Sequence, residues 1–293
     1  MMDYDRTLGS KAFDWLNRLL MVAIIFITLY PFYFITIVSL SNGNAVLRGD
    51  VRFWPVQPTL ESYKLVFENK AVPVSLGNSV QYTVIGTIIN MIMTILCAYP
   101  LARPKFSGNT FFTWVVSLTM FFSGGMIPLY LLVLNLGLIN SMWALVLPPA
   151  INVWNMFIMR TAFQSVPEEL YEAAVLDGAN DLQTLWEIIL PLSKPVLATL
   201  VMFYAVGQWN EFFNALMYID DRMKYPIQLV LRNVVILGRF EQTNELSGGS
   251  DFAAIEQTLR YATIMVSTLP ILAVYPFVQR YFVKGVMIGA IKG

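Results

Sequence analysis

Long apolar runs without charge alternate along this chain with short polar punctuation. Nothing is charged from Leu19 to Leu47, from Ala71 to Ala102, or from Phe106 to Met159. A bilayer span needs about 20 apolar residues in succession, so the first two runs each predict one crossing helix. The third run, 54 residues long, exceeds one helix and contains the turn signal Asn135-Leu-Gly-Leu-Ile-Asn-Ser141. It is predicted to be two spans joined by a short loop. A fifth span is predicted from about Pro195 to Ile219, with Glu211 inside it, and a last one from about Tyr261 to Phe282. Strands of a membrane barrel would alternate apolar and polar positions over about ten residues. The unbroken runs instead predict an all-α polytopic membrane protein with six transmembrane helices.

Lys and Arg near helix ends set the orientation. The turn Arg103-Pro-Lys-Phe-Ser-Gly108 carries two basic residues, and the turn 135–141 carries none. Arg18, Arg160, Lys194, Arg280 and Lys284 fall at helix ends on the side of Arg103. That side is read as cytoplasmic, with both termini on it. The expected layout is a cytoplasmic N-terminus over 1–18, a single transmembrane domain over 19–284 and a cytoplasmic tail over 285–293. Its spans lie at about 19–41, 76–101, 110–134, 142–163, 195–219 and 261–283. A cytoplasmic loop covers 164–194, and two outer loops cover 42–75 and 220–260. Asp3, Asp5 and Asp14 spoil the basic start that a cleavable signal peptide needs, so the first helix is expected to stay.

Composition agrees and narrows the chemistry. Of the 293 residues 57% are apolar and 13% charged, with a mean hydropathy of +0.60; soluble domains carry about a quarter charged residues. Nineteen basic and nineteen acidic residues cancel, which argues against a nucleic-acid partner. There is no His, which removes His-based acid–base catalysis and His-ligated metal sites. No metal site is expected. The single Cys97 lies in an apolar run and is read as a small packing residue.

The polar stretch 164–194 is the most structured signal. Ser165 with Glu168 three residues on is a capping box, with Pro167 favouring the first turn. Gly178 supplies a left-handed helix stop. A second short helix is expected to start at Asn180 or Asp181 and to stop at Pro191. Ala173, Ala174 and Ala179 are expected to form one surface of low relief that another protein's groove could close around. The same pattern also fits an ordinary interfacial amphipathic loop.

Glu172-Ala173-Ala174, Asp177-Gly178-Ala179, Ile189-Leu190-Pro191-Leu192 and Pro195 together resemble the EAA loop of permease subunits in binding-protein-dependent ABC importers. Gly124-Gly-Met-Ile-Pro-Leu-Tyr130, Trp209-Asn-Glu-Phe-Phe213 and the tail from Arg280 to Gly293 resemble the carbohydrate branch of that family, the MalG/LplC-like permeases. The resemblance implies that this loop docks into a cytoplasmic ATPase, with Glu172, Ala173, Ala174, Asp177, Gly178, Ala179, Leu190 and Pro191 as the coupling residues. It implies a second, homologous permease subunit, an ATP-binding cassette ATPase dimer and an extracytoplasmic solute-binding protein as partners, with the tail touching the ATPase pair. The outer loop 220–260 is implied to reach the binding protein. The chain has no Gly-Lys dipeptide and so no phosphate-cradling P-loop. No cofactor is expected on this chain, and ATP with Mg is expected on the partner.

An acid within a span costs about 2.5–3.5 kcal/mol on insertion scales, so Glu211 should face protein or a watery path. Gln208, Trp209, Asn210 and Asn214 surround it in sequence, offering ring stacking and amide hydrogen bonds that suit sugars. Asn152, Trp154 and Asn155 form a similar group. The first group reads equally as a pathway lining or as packing groups, and in the second the Asn residues read more readily as helix glue. Gly124-Gly125 and Pro128 are expected to break the third span. A secondary transporter would need inverted repeats with a broken-helix pair, and an intramembrane enzyme would need a nucleophile–base pair; neither pattern is evident.

Overall fold

The computed structural model describes residues 8–103, 105–237 and 255–274. They are helical or irregular, without strands among the described residues. The tail 280–293, the stretch 238–254 of the expected outer loop 220–260 and Pro104 lie outside the described residues. The chain divides into two units, Met1–Asn69 with Val234–Val266 and Lys70–Asn233 with Ser267–Gly293.

In the first unit, α1 (Leu8–Ser39) is a single helix whose side chains are largely exposed apolar groups. Its C-terminal turn packs Ile37 and Val38 against Ala45 of α2 (Gly43–Leu47) and against Val51. Ser41 pins the return of the chain, donating to the Ile37 carbonyl and accepting from the Val56 amide. α3 (Glu61–Glu68) follows.

The second unit is built on α4 (Ala71–Ala102). This helix is inverted relative to a helix of a soluble protein. Val80, Val84, Ile88, Ile92 and Leu96 recur every four residues, and each is half-exposed. The opposite stripe, with Ser75, Ser79, Gly86, Asn90 and Thr94, is buried. Small and polar residues inward, with aliphatic residues outward, are what a helix shows when its solvent is lipid and its partners are other helices. After α4 come α5 (Asn109–Phe121), α6 (Met126–Asn135), α7 (Trp143–Val146), α8 (Val153–Gln164), α9 (Glu168–Leu176) and α10 (Asp181–Leu192). Then α11 (Lys194–Asn210), α12 (Phe213–Tyr218), a 3-10 turn (Arg222–Lys224) and α13 (Ile227–Leu237) follow. α14 covers 255–274. α4 packs against both α8 and α11.

Two described helices, α1 and α4, are long and apolar enough to cross a bilayer, rising to four crossings if each bent pair counts as one. The third predicted span is broken near the expected Gly124-Gly125, while the fourth and fifth are interrupted where the sequence suggested single helices. α5 and α6 meet at 112° across the break at 122–125. The cause is Gly125, whose φ of +86° is open to glycine. Pro128 instead sits in the first turn of α6, where its missing amide costs nothing. The predicted fourth span is split between α7 and α8 by the irregular stretch 147–152. The predicted fifth is split at Glu211 and Phe212.

Each break needs its freed backbone groups satisfied by protein. At 147–152 the buried Asn90 amide of α4 donates to the carbonyls of Pro149 (2.7 Å) and Ala150 (3.1 Å). Tyr204 of α11 accepts from the Asn152 amide at 3.2 Å and bonds Thr94 at 2.6 Å. The Gln208 side-chain amide donates to the Asn90 side-chain oxygen at 3.0 Å. Gly86 makes room for this: a Cβ there would lie 2.8 Å from the Gln208 side chain.

Asn90→Leu should therefore leave two carbonyls without partners and lower stability by about 1–3 kcal/mol. Thermal unfolding of the detergent-purified protein should show the loss, with the outward-facing Val80→Leu melting like wild type. Equal melting of Asn90→Leu and wild type would show that the unwound stretch does not depend on α4.

Candidate functional site

The polar element at 165–192 is assembled from the end of α4 outward. Pro100 sits in the last turn of α4, and the carbonyls there are capped by side chains. Asn109, the first residue of α5, donates to the carbonyls of Leu101 and Arg103. Arg160 of α8 donates to the Leu101 carbonyl at 2.8 Å and to the Asn109 side-chain oxygen at 3.3 Å. The turn after α4 is thereby held, and it aims Arg103 at the short helices.

α9 and α10 are those helices. α9 carries Glu168 and Glu169 in its first turn, where acids suit the helix dipole. The expected capping box is absent: Ser165 turns back to donate to the Ala162 carbonyl, ending α8, and Pro167 occupies the N-cap of α9 without a side-chain bond. A capping box does form one helix later, where Asn180 and Gln183 exchange side-chain and backbone bonds at the start of α10. α9 ends as expected at Gly178, with φ +81°, and the Ala179 amide reaches back to the Ala174 carbonyl. α10 runs one residue beyond Pro191. Its middle, Leu185–Ile189, is wound as a π-helix, with the Leu190 amide bonding the Leu185 carbonyl. That wider turn displaces the carbonyls that the Pro191 ring would strike. α10 then meets α11 at 86°.

Of the expected alanine surface only part is presented outward. Ala173 is exposed, Ala179 half-buried and Ala174 buried, because adjacent residues on a helix face about 100° apart. Glu172, Asp177 and Gly178 are exposed, Leu190 is buried and Pro191 is exposed. Around them the surface is apolar as well as acidic. Leu176 is 87% exposed, and Val175, Leu182 and Trp186 are also open.

Charges bind the element to the turn after α4. Arg103 pairs with Asp181 at 2.9 Å, and its guanidinium lies 4.1 Å from the Tyr171 ring centroid and 5.5 Å from that of Tyr99. Burial pushes the Tyr171 hydroxyl above its ordinary value, so the ring facing Arg103 stays neutral. Lys105 reaches both Glu168 and Glu172, at 3.4 and 3.7 Å, but these groups are exposed and the pairs contribute little. A groove of about 1080 Å³ runs alongside, lined by Arg103, Lys105, Arg160, Glu168 and Tyr171 among others.

The other expected group is split by the structure. Trp209 is buried, its indole donating to the Ser267 carbonyl at 3.2 Å. Glu211 is half-buried and caps α12 by accepting from the Asn214 amide at 2.9 Å. Asn210 is exposed, and Gln208 and Asn214 are half-buried. Asn152 caps α8 through the Asn155 amide, Asn155 is buried, and Trp154 is 62% exposed. Asn90, Tyr204, Arg103 and Tyr171 were not singled out from the sequence. An Asn and a Tyr inside apolar runs were the available signal for the first two, and Arg103 had been read only as an orientation marker.

A family model described as the inner membrane component of binding-protein-dependent transport systems matches residues 7–288. The chain belongs to this family. The permease is 44% identical to Protein LplC of Bacillus subtilis (strain 168) over 98% of its own length and 97% of the relative's. It is 40% identical to the polygalacturonan/rhamnogalacturonan transport system permease protein YtcP of the same organism, over 97% and 99%. A crystal structure of a bacterial ABC transporter involved in the import of the acidic polysaccharide alginate contains a chain that superposes with a TM-score of 0.89. That chain is 33% identical, with 96% of the permease and 100% of the other chain covered. The permease is therefore a membrane-embedded transport subunit rather than an enzyme.

Gly178→Ala should strain the left-handed stop by about 1 kcal/mol without any clash, since no atom lies within 4 Å of the added Cβ. Gly178→Asn, which tolerates that conformation, should be milder. Amide exchange across 165–192 is the measurement; equal protection in both variants and wild type would remove the role given to this glycine.

Proposed function

We propose that this permease forms, with a second homologous subunit, the translocation path of an ATP-driven importer for a sugar or oligosaccharide. The carrying observation is the paired element α9–Gly178–α10, which presents exposed acidic and apolar side chains on a framework fastened to α4. Such a surface suits insertion into a cleft of another protein. The cleft belongs to an ATPase dimer, which binds ATP with Mg; this chain carries no P-loop. Closure of the ATPases moves the element, and the spans rock between inward- and outward-open states. An extracytoplasmic binding protein delivers the substrate. The carbohydrate assignment is supported by the relative named for polygalacturonan and rhamnogalacturonan transport, and by the alginate importer. Gln208, Asn210, Glu211, Asn214, Asn152 and Trp154 remain the candidates for the path. Trp209 and Asn155 belong to the same candidate set and serve it from buried positions.

The proposed topology has six crossings, with both termini and the 164–194 loop in the cytoplasm of a multi-pass cell-membrane protein. In a Cys97→Ser background, Leu176→Cys should react with an impermeant maleimide only from the cytoplasmic side and Trp54→Cys only from outside. Labelling of both from one side would overturn this arrangement.

Gly178→Asp and Glu172→Lys should leave the protein in the membrane and uncouple ATP hydrolysis from uptake. In vesicles holding the permease pair, ATPase and binding protein, uptake should fall while hydrolysis continues. Normal uptake with normal substrate-stimulated hydrolysis in both variants would refute the coupling role of the element.

A further inference from the structure

α10 and α9 are attached to α4 by different means. α10 joins the apolar core: Leu185, Ile189 and Leu190 pack with Ala98, Tyr99, Leu101 and Ala102 of α4. α9 has one buried residue, Ala174, and joins that core through the half-buried Tyr171 ring. What holds α9 against the turn after α4 is a set of side-chain contacts, and most of these are exposed. The Lys105 side chain is 79% exposed, and its two glutamate partners are more than half exposed. Arg103 differs. Its side chain is 23% exposed, and it touches α9 through the Tyr171 ring, α10 through the Asp181 carboxylate, and its own helix through Tyr99. Tyr99 adds a bond from its hydroxyl to the Asp181 carbonyl at 3.1 Å. A planar guanidinium can stack and pair at the same time, which an ammonium cannot do.

From these contacts we infer that Arg103 is a strut: a positioning residue that locks α9 and α10 to each other and to the end of α4. Motion of the element is then delivered directly into α4, which packs on α8 and α11, rather than being absorbed by the flexing of α9. The inference concerns a residue outside the 165–190 loop, and its functional half rests on the coupling role proposed above.

The strut is tested without any partner. Spin labels at Leu96→Cys, on the outward stripe of α4, and at Leu176→Cys, at the end of α9, are introduced into the full-length Cys97→Ser protein in nanodiscs. Arg103 intact should give one narrow distance distribution. Arg103→Ala should broaden it, Arg103→Lys should broaden it nearly as much, and Asp181→Asn, which removes only the ion pair, should give an intermediate width. An unchanged distribution in Arg103→Ala overturns the strut, and a wild-type distribution in Arg103→Lys overturns the stacking that defines it. In the assembled transporter, substrate moved per ATP should fall roughly 2- to 30-fold in Arg103→Ala and Arg103→Lys. Broadening with unchanged transport per ATP leaves the strut standing and instead refutes the coupling reading of the element.

Discussion

An unwound turn in a bilayer must find partners for its carbonyls and amides in protein or in a water-filled cavity, since lipid offers none. This constraint organises the second unit. At 147–152 α4 and α11 supply what the backbone lost, Asn90 for two carbonyls and Tyr204 for one amide, and at 211–212 Glu211 within the break itself takes an amide at the start of α12. The inverted surface of α4 follows from the same cause. Its polar residues face inward because carbonyls and side chains there require them, and its aliphatic residues face outward because lipid accepts them.

The same accounting reaches the end of α4, where Asn109 and Arg160 take up the last carbonyls. A capped end is a rigid end, and Arg103 extends from it. The polar element beyond is thus mounted on a helix terminus held by neighbours in two other helices, α5 and α8. Under the coupling role proposed for the element, that mounting matters as much as its exposed residues, since a loosely hinged element could be gripped without moving the spans.

Much of the architecture was legible in the sequence. Charge-free runs marked membrane helices because charge is costly in lipid: α4 coincides with the run 71–102, whereas α1 starts eleven residues before the run 19–47 and ends eight residues short of its end. Gly178 as a left-handed stop was legible because few other residues adopt that conformation. The Ser165 capping box was not realised, because the Ser165 hydroxyl found the Ala162 carbonyl behind it. Pro191 did not end α10, because the π-turn before it moved the obstructing carbonyls. In both cases two local bonding patterns were available, and the surrounding chain chose between them.

Glu211 and Trp209 show the limit most plainly. Sequence alone placed an acid, an indole and several amides together inside an apolar stretch, and it determined that this cluster must be satisfied by protein or water. Only the tertiary structure decided how. It opened the helix at Glu211, so that the carboxylate caps α12, and it brought the Ser267 carbonyl to the Trp209 indole. The membrane class and the short-helix punctuation are one-dimensional properties, set by lipid's intolerance of charge and by glycine's backbone freedom. Hydrogen-bond partners 58, 59 or 118 residues apart are chosen by packing, which brings segments together in ways that no local pattern encodes.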